Sequence, residues 1–204
     1  MTRTIFAHLQ LWDPVGQMKI DPDLTYGGQT MLFVLAAEDL VTGIEKLLQA
    51  VQAKGLGLVR LMHAGFTEDF EPDHFPFEVD LAPMIRDAEE LDKICALPPV
   101  TFSPNTLVTP LEVTVAILDL AADKGTGGAL TLAAIQGSVA AALPRLLDHI
   151  RSQGLAVRSI EDVKDATEHS EGYGFEIGIE DLVNKARETD GPVFSEAMSY
   201  GAAG

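Results

Sequence analysis

The chain of 204 residues contains a single cysteine, Cys95, and it lacks any run of about 18 apolar residues. One cysteine forms no internal disulfide, and it anchors no zinc site unless several histidines lie beside it. The start of the chain carries His8, Gln10 and Asp13 where the apolar stretch of a signal peptide would lie. We therefore expect a cytoplasmic protein with no membrane partner.

Basic residues are also scarce. Fourteen Lys and Arg stand against thirty-one Asp and Glu, which gives a formal net charge of −17 at pH 7. Such a chain repels a phosphate backbone, so we expect no nucleic-acid partner. Hydrophobic residues make up 47% of the chain, enough for one mid-sized domain or two small ones with cores of their own.

A shift of 99 residues aligns the strongest amphipathic helix of the chain with a second one. The first helix is predicted at about 39–54 and the second at about 138–153. Asp39 and Ser138 stand at the two N-cap positions, and Gly55 and Gly154 follow the two helices. The apolar stripe also repeats, with Leu40, Ile44, Leu47, Leu48 and Val51 matching Val139, Leu143, Leu146, Leu147 and Ile150.

Strands and a second helix continue the repeat in each half of the chain. Two strands before the long helix, two after it and a short final helix give the order β-β-α-β-β-α twice. The fourth strands are predicted at 75–81 and 173–179, where apolar and acidic residues alternate. We therefore predict a first repeat at 1–95, a proline-rich linker at 96–110 and a second repeat at 111–204.

The repeated unit is most of a ferredoxin-like arrangement, an antiparallel sheet with its helices on one face. A hairpin turned at the paired glycines would put the first strand of each unit at a sheet edge. Alternatively, the strand at 112–119 closes the first repeat, so that the repeats run over about 31–120 and from 129 onward; the sequence leaves self-contained and strand-exchanged repeats open. Several strands are apolar on both faces, which predicts a second cover, either the other repeat in a pseudo-dimer or a homodimer partner. Pro144 predicts a late start or a kink in the second long helix.

No catalytic motif is present, and we expect neither a cofactor nor a bound metal. Acids flank His74 and His169 in matching loops, but the spacing fits no known calcium or zinc pattern. Three other residues are possible contacts for a small ligand: His8, Arg60 and His63.

Acidic residues are concentrated in two matching segments. Residues 68–92 and 161–190 hold twenty of the thirty-one acids, and such surfaces speed association with a basic partner. The sequence thus predicts a non-enzymatic acidic binding protein, of the inhibitor or immunity type, that docks a basic protein. One alternative is an enzyme or small-molecule-binding protein with its site between the repeats, and another is a structural subunit of a larger assembly. The candidate docking residues are Glu68, Asp69, Glu71, Asp73, Glu161, Asp162, Asp165 and Glu168.

Overall fold

The computed structural model describes residues 2–12, 28–72, 79–102, 113–122, 128–166, 179–196 and 198–200. These residues form a mixed α/β fold with four α-helices and an antiparallel sheet whose main path has eight strands. The chain divides into two compact units, which are described in turn. Unit 1 is Met1–Leu58 with His63–Asn105, and unit 2 is Val59–Met62 with Thr106–Gly204.

Unit 1 begins with a hairpin and alternates strands and helices after it. Its elements are β1 (Arg3–Trp12), β2 (Gly28–Ala37), α1 (Leu40–Ala53), β3 (Gly57–Phe66), a 3₁₀ turn (Thr67–Asp69), α2 (Ala82–Leu91), β4 (Cys95–Ala96) and β5 (Val100–Phe102). The strand order is β3-β1-β2-β4, and β5 also pairs with β2. Ala96 and β5 fall within the segment predicted as a linker. The hairpin strand β1 lies between two strands, so the predicted edge position is wrong.

Helix α1 begins and ends as the sequence predicts. The Asp39 carboxylate accepts a hydrogen bond of 2.7 Å from the Thr42 backbone N–H, which satisfies one of the free donors at the helix start. After the helix, Gly55 adopts a φ of 74°, a left-handed conformation that glycine takes without a steric penalty. Between these ends, Ile44 and Leu47 are fully buried.

The helices of unit 1 cover both faces of its sheet. A Cβ on Gly43 of α1 would lie 2.2 Å from Ile5 Cδ1, so α1 packs on the Ile5 side of β1. Phe6 instead joins the core formed with Met84 and Ala88 of α2. Adjacent strand residues point to opposite faces, and the β1–β2 register runs without a shift. The predicted one-sided helix layer is therefore wrong for unit 1, and the apolar second face needs no partner to cover it.

Unit 2 repeats much of this element order. Its elements are β6 (Val113–Ala122), β7 (Gly128–Gln136), α3 (Val139–Ser152), β8 (Leu155–Asp165), α4 (Ile179–Glu188), β9 (Val193–Phe194) and β10 (Met198–Tyr200). The strand order β10-β7-β6-β8 continues to β3, whose residues Val59–Met62 belong to this unit. Strand β6 pairs antiparallel with both β7 and β8, so it too is not at an edge.

The core beneath α4 is built from alternate residues of β6. Val113, Val115 and Ile117 pack with Leu182 and Ala186 of the helix. Their neighbours on the other face of β6, among them Ala116 and Leu118, are also buried. Both faces of this strand are thus removed from water, as its continuous apolar sequence predicts.

Helix α3 contains a proline but does not start late. It runs over Val139–Ser152 with Pro144 inside it. The carbonyl that loses its helical donor is that of Ala140, four residues earlier, and Ala140 is exposed to solvent. The late start is therefore wrong, and the alternative, a kink at Pro144, stays a prediction.

The predicted strands at 75–81 and 173–179 lie mostly outside the described residues. Of their described ends, 79–81 belong to no strand, and Ile179 is the first residue of α4. None of the helices in the described part of the chain is both long and apolar enough to cross a membrane.

Candidate functional site

The predicted docking acids of unit 1 lie at the surface around the 3₁₀ turn. Glu68, Asp69 and Glu71 are exposed, while Asp73 is outside the described residues. The Arg3 guanidinium donates a hydrogen bond to the Glu68 carboxylate, and its carbon lies 3.3 Å from the centre of the Phe66 ring. Arg3 therefore anchors one end of this turn through both charge and ring contact, and Asp69 and Glu71 also face solvent.

The corresponding acids of unit 2 divide between surface and interior. Glu161 is exposed, but Asp162 and Asp165 are only 4% and 3% exposed, and Glu168 is outside the described residues. Every residue from Asp162 to Asp165 is buried, so both faces of β8 are covered here, and a register shift lies just before this run. Ile117 pairs with Asp162 whereas Leu118 pairs with Ile160, so Glu161 is the extra residue of a bulge. Asp162 and Asp165 are therefore removed from the predicted docking surface.

Asp162 is the centre of a cluster of charges within unit 2. Its Oδ1 accepts a hydrogen bond from Arg60 Nε at 2.7 Å, and its Oδ2 accepts one from Arg60 Nη2 at 2.8 Å. Lys164 Nζ lies 3.1 Å from the same Oδ2, and the Lys164 side chain is only 6% exposed. Two-point pairing of a guanidinium with a carboxylate is strong and directional. With both oxygens engaged, this carboxylate acts as a structural acceptor.

A second ion pair lies on the neighbouring strand. Arg158 Nε is 3.6 Å from Asp119 Oδ2, and the Asp119 side chain is 8% exposed. Arg158 is the extra residue at a second register shift of β8, because Asp119 pairs with Ser159 and Leu120 pairs with Val157. The two bulges thus coincide with the two ion pairs. Buried carboxylates need such partners, since burying an uncompensated charge is costly.

The three predicted ligand contacts all take part in packing. His8 is 3% exposed and lies on the same face of β1 as Phe6. The His63 ring stands edge-on to the Phe6 ring, with centroids 5.0 Å apart. Arg60 is held by Asp162. The aromatic contact of His63 and the ion pair of Arg60 each stabilise the fold, and both belong to the strand β3.

The outer face of α2 carries acids that lysines partly neutralise. Lys93 donates a 2.7 Å bond to Asp87; this bond lowers the pKa of Asp87 and raises the pKa of Lys93. Lys46 contacts Asp92 at 2.7 Å, and every side chain of these two pairs is at least 38% exposed. Exposed pairs of this kind exchange readily with solvent or with other charges.

Cys95 is half-buried in β4 beside the core of α2. Burial raises the pKa of its thiol, against a smaller lowering by Lys93. A thiol of this kind is a weak nucleophile near neutral pH. Within the described ranges, no three His, Cys, Asp or Glu side chains are grouped so that they could hold a metal ion.

Comparison with known proteins adds no further assignment: no protein-family model, curated protein or solved structure matches the chain. Sequence reasoning identified Arg60 but not its partner, and it missed Lys164 and Asp119 altogether. The available signal was the run from Asp162 to Asp165, in which two acids and a lysine lie within four residues of one strand. The exposed leucine at the end of α2, Leu91, was missed as well; it is 61% exposed.

Proposed function

We propose that the chain is a non-enzymatic acidic protein, of the inhibitor or immunity type, that binds a basic protein partner. The observation that carries the proposal is the excess of acid at exposed positions of unit 1. Glu68, Asp69 and Glu71 face solvent at the 3₁₀ turn, and Glu89 and Glu90 do so on α2. In a chain of net charge −17, these acids create a field that attracts cations and speeds their association.

Unit 2 contributes fewer of the predicted docking residues. Glu161 stays in the proposed surface because it is exposed. Asp162 does not, since both of its oxygens accept bonds from Arg60. The proposed docking surface is therefore weighted towards unit 1.

We further infer that the chain arose by tandem duplication of one unit, whose described elements follow the order β-β-α-β-α-β-β in both halves. Three correspondences support this inference. In unit 1, Phe6 of the first strand pairs with Val34 of the second, and in unit 2, Val115 of the first strand pairs with Ala134 of the second. Strands β4 and β9 each pair with the second strand of their unit. The buried sets of α2 and α4 match at a shift of 98, with Met84 and Ala88 against Leu182 and Ala186.

The alternative functions have less support. The structural-subunit hypothesis assumed that one apolar face of the sheet is covered by another subunit. In unit 1, however, helices pack on both faces of the sheet. The case for a small-molecule site began from Arg60, His8 and His63, of which Arg60 and His63 already have protein partners. A cytoplasmic location, absence of nucleic-acid binding, and a monomeric or homodimeric state remain parts of the proposal.

The proposal is tested by capture on the tagged full-length chain from the native lysate, at about 50 mM and about 500 mM salt, between which the Debye length falls severalfold. We expect a basic protein that is retained at low salt and released at high salt. A variant carrying Glu68→Gln, Asp69→Asn and Glu71→Gln should retain less of it. The control variant makes the same change of charge on α4 of unit 2, with Glu180→Gln, Asp181→Asn and Glu188→Gln.

Three outcomes would contradict the proposal. The first is failure to recover a basic protein at low salt, the second is recovery that does not depend on salt, and the third is an equal loss of binding in the two variants. Equal loss would mean that total charge, rather than the surface of unit 1, determines binding.

A further inference from the structure

Helices α2 and α4 occupy matching positions in their units but have opposite charge patterns. Helix α4 has Glu180 and Asp181 in its first turn and Lys185 and Arg187 in its last turn. This order suits the helix dipole, which favours acids at the N-terminus and bases at the C-terminus. Helix α2 has neither arrangement, because it has no acid in its first turn and no base in its last turn.

The end of α2 departs from these preferences at several positions. Its last turn carries Glu89 and Glu90, which meet the negative end of the dipole. Asp92 follows with a φ of 45°, where helices most often have glycine. At a shift of 98 residues, Arg187 stands where α2 has Glu89. Fold stability thus favours the α4 pattern, and the α2 pattern calls for another explanation.

The same turn exposes a leucine. Leu91 is 61% exposed, the largest exposed fraction among the large apolar residues of the described chain. The matching residue after α4 is Thr189. The opposite side of α2 is already committed to the core through Met84 and Ala88. At this helix end Asp92 is paired with Lys46 and Asp87 with Lys93, so the outer face next to Leu91 presents the carboxylates of Glu89 and Glu90.

We propose that the end of α2, formed by Glu89, Glu90 and Leu91, is the docking surface for a cationic protein segment that carries an apolar residue. This inference rests on the proposed function and places its partner on one helix. Charge complementarity identifies the occupant, because a lysine or arginine here meets the carboxylates and the negative end of the helix dipole together. The apolar residue of the segment would cover Leu91.

The test uses the full chain and two labelled, length-matched peptides, one alternating lysine and leucine and the other alternating lysine and serine. Fluorescence anisotropy at physiological ionic strength should show the lysine–leucine peptide bound at least about tenfold more tightly, as burial of apolar side chains requires. Leu91→Thr should abolish that preference. The matched control Leu155→Thr, at a leucine that is 37% exposed, should keep it.

Charge is tested separately. Glu89→Arg should weaken binding of both peptides more than Glu180→Arg, which makes the same change of charge on α4. Both substitutions are at exposed positions, and thermal unfolding checks that each variant is folded.

The inference is overturned if wild type binds the two peptides equally or does not bind the lysine–leucine peptide. It also falls if the two leucine variants, or the two arginine variants, behave alike. A salt-sensitive basic partner captured in spite of such a result would leave the proposed function standing and refute only its location. Peptide binding as expected, without a captured basic partner, would refute the function and keep the surface.

Discussion

Replacing Gly43 with alanine sets two effects of known size against each other. A glycine inside a helix costs about 1 kcal/mol relative to alanine, so helix propensity alone predicts that Gly43→Ala stabilises the protein. The structure predicts the opposite. The new Cβ would lie 2.2 Å from Ile5 Cδ1 and 3.0 Å from Ala37 Cβ, and Ile5 is fully buried.

Overpacking of a core costs about 1–3 kcal/mol, which exceeds the gain in propensity at most of that range. We therefore expect Gly43→Ala to lower the free energy of unfolding by about 1 kcal/mol. Ile5→Val removes the Cδ1 atom that clashes and costs about 0.5–1.5 kcal/mol alone. In the double variant that clash is relieved, so the double variant should be more stable than the sum of the two single effects predicts.

Urea unfolding of the wild type, the two single variants and the double variant measures this coupling. Ala142, at the position of α3 that matches Gly43, provides a control, because Ala142→Gly should destabilise by propensity and by loss of a buried methyl group. An increase in stability from Gly43→Ala, or strict additivity with Ile5→Val, would refute the packing of α1 against the Ile5 face.

Three other perturbations test the buried residues. Asp162→Ala leaves Arg60 and Lys164 without their shared carboxylate and should cost about 3–5 kcal/mol, whereas exposed Glu161→Ala should change stability by less than about 0.5 kcal/mol; similar values in chemical denaturation would contradict the buried ion pairing of Asp162. Leu47→Ala and Leu146→Ala should each cost about 2–5 kcal/mol because both leucines are fully buried, and a small loss at either would contradict its core position. The raised pKa of Cys95 leaves less thiolate at a given pH, so its alkylation rate should rise at a higher pH than that of a cysteine in an unfolded peptide; coincident pH profiles would contradict the burial.

The local elements of the fold could be predicted because their signals are local. The apolar stripe of α1, its Asp39 cap and the glycine after it are all contained in one short segment, and the structure has each of them. Ser138 stands before α3 in the same way, but its side chain makes no capping hydrogen bond. The residue type of Ser138 was enough to predict where α3 begins. The capping hydrogen bond itself depends on the rotamer of the side chain, which the sequence does not determine.

Strand order and helix placement could not be predicted in the same way. The side of the sheet on which α1 lies depends on contacts between residues as distant as Ile5 and Gly43. A hairpin turn shows that two strands pair, but it does not show which of them gains another neighbour. The sequence evidence was therefore consistent with an edge position for β1, whereas the structure places it between β2 and β3.

The candidate site was predictable where it depends on composition and not where it depends on which strand faces are covered. The exposed acids around Glu68 follow from a polar turn after a strand. Asp162 to Asp165 are buried on both faces of β8, so the burial of these acids follows from the layers that cover the strand and not from the alternation of its residues. Which strand faces are covered depends on distant parts of the chain, so acids that belong to the core were assigned to the surface.

The proposed duplication gives this asymmetry a physical meaning. At a shift of 99, Asp162 and Lys164 of unit 2 match His63 and Gly65 of unit 1. A buried ion cluster carries a desolvation free energy that apolar packing avoids. Unit 2 therefore has a less favourable interaction at the place where unit 1 has a ring contact between His63 and Phe6. At the surface it is unit 1 that has the less favourable arrangement, because the charges at the ends of α4 suit the helix dipole and those of α2 do not. These differences between the two units are the reason why our proposal weights partner binding towards unit 1.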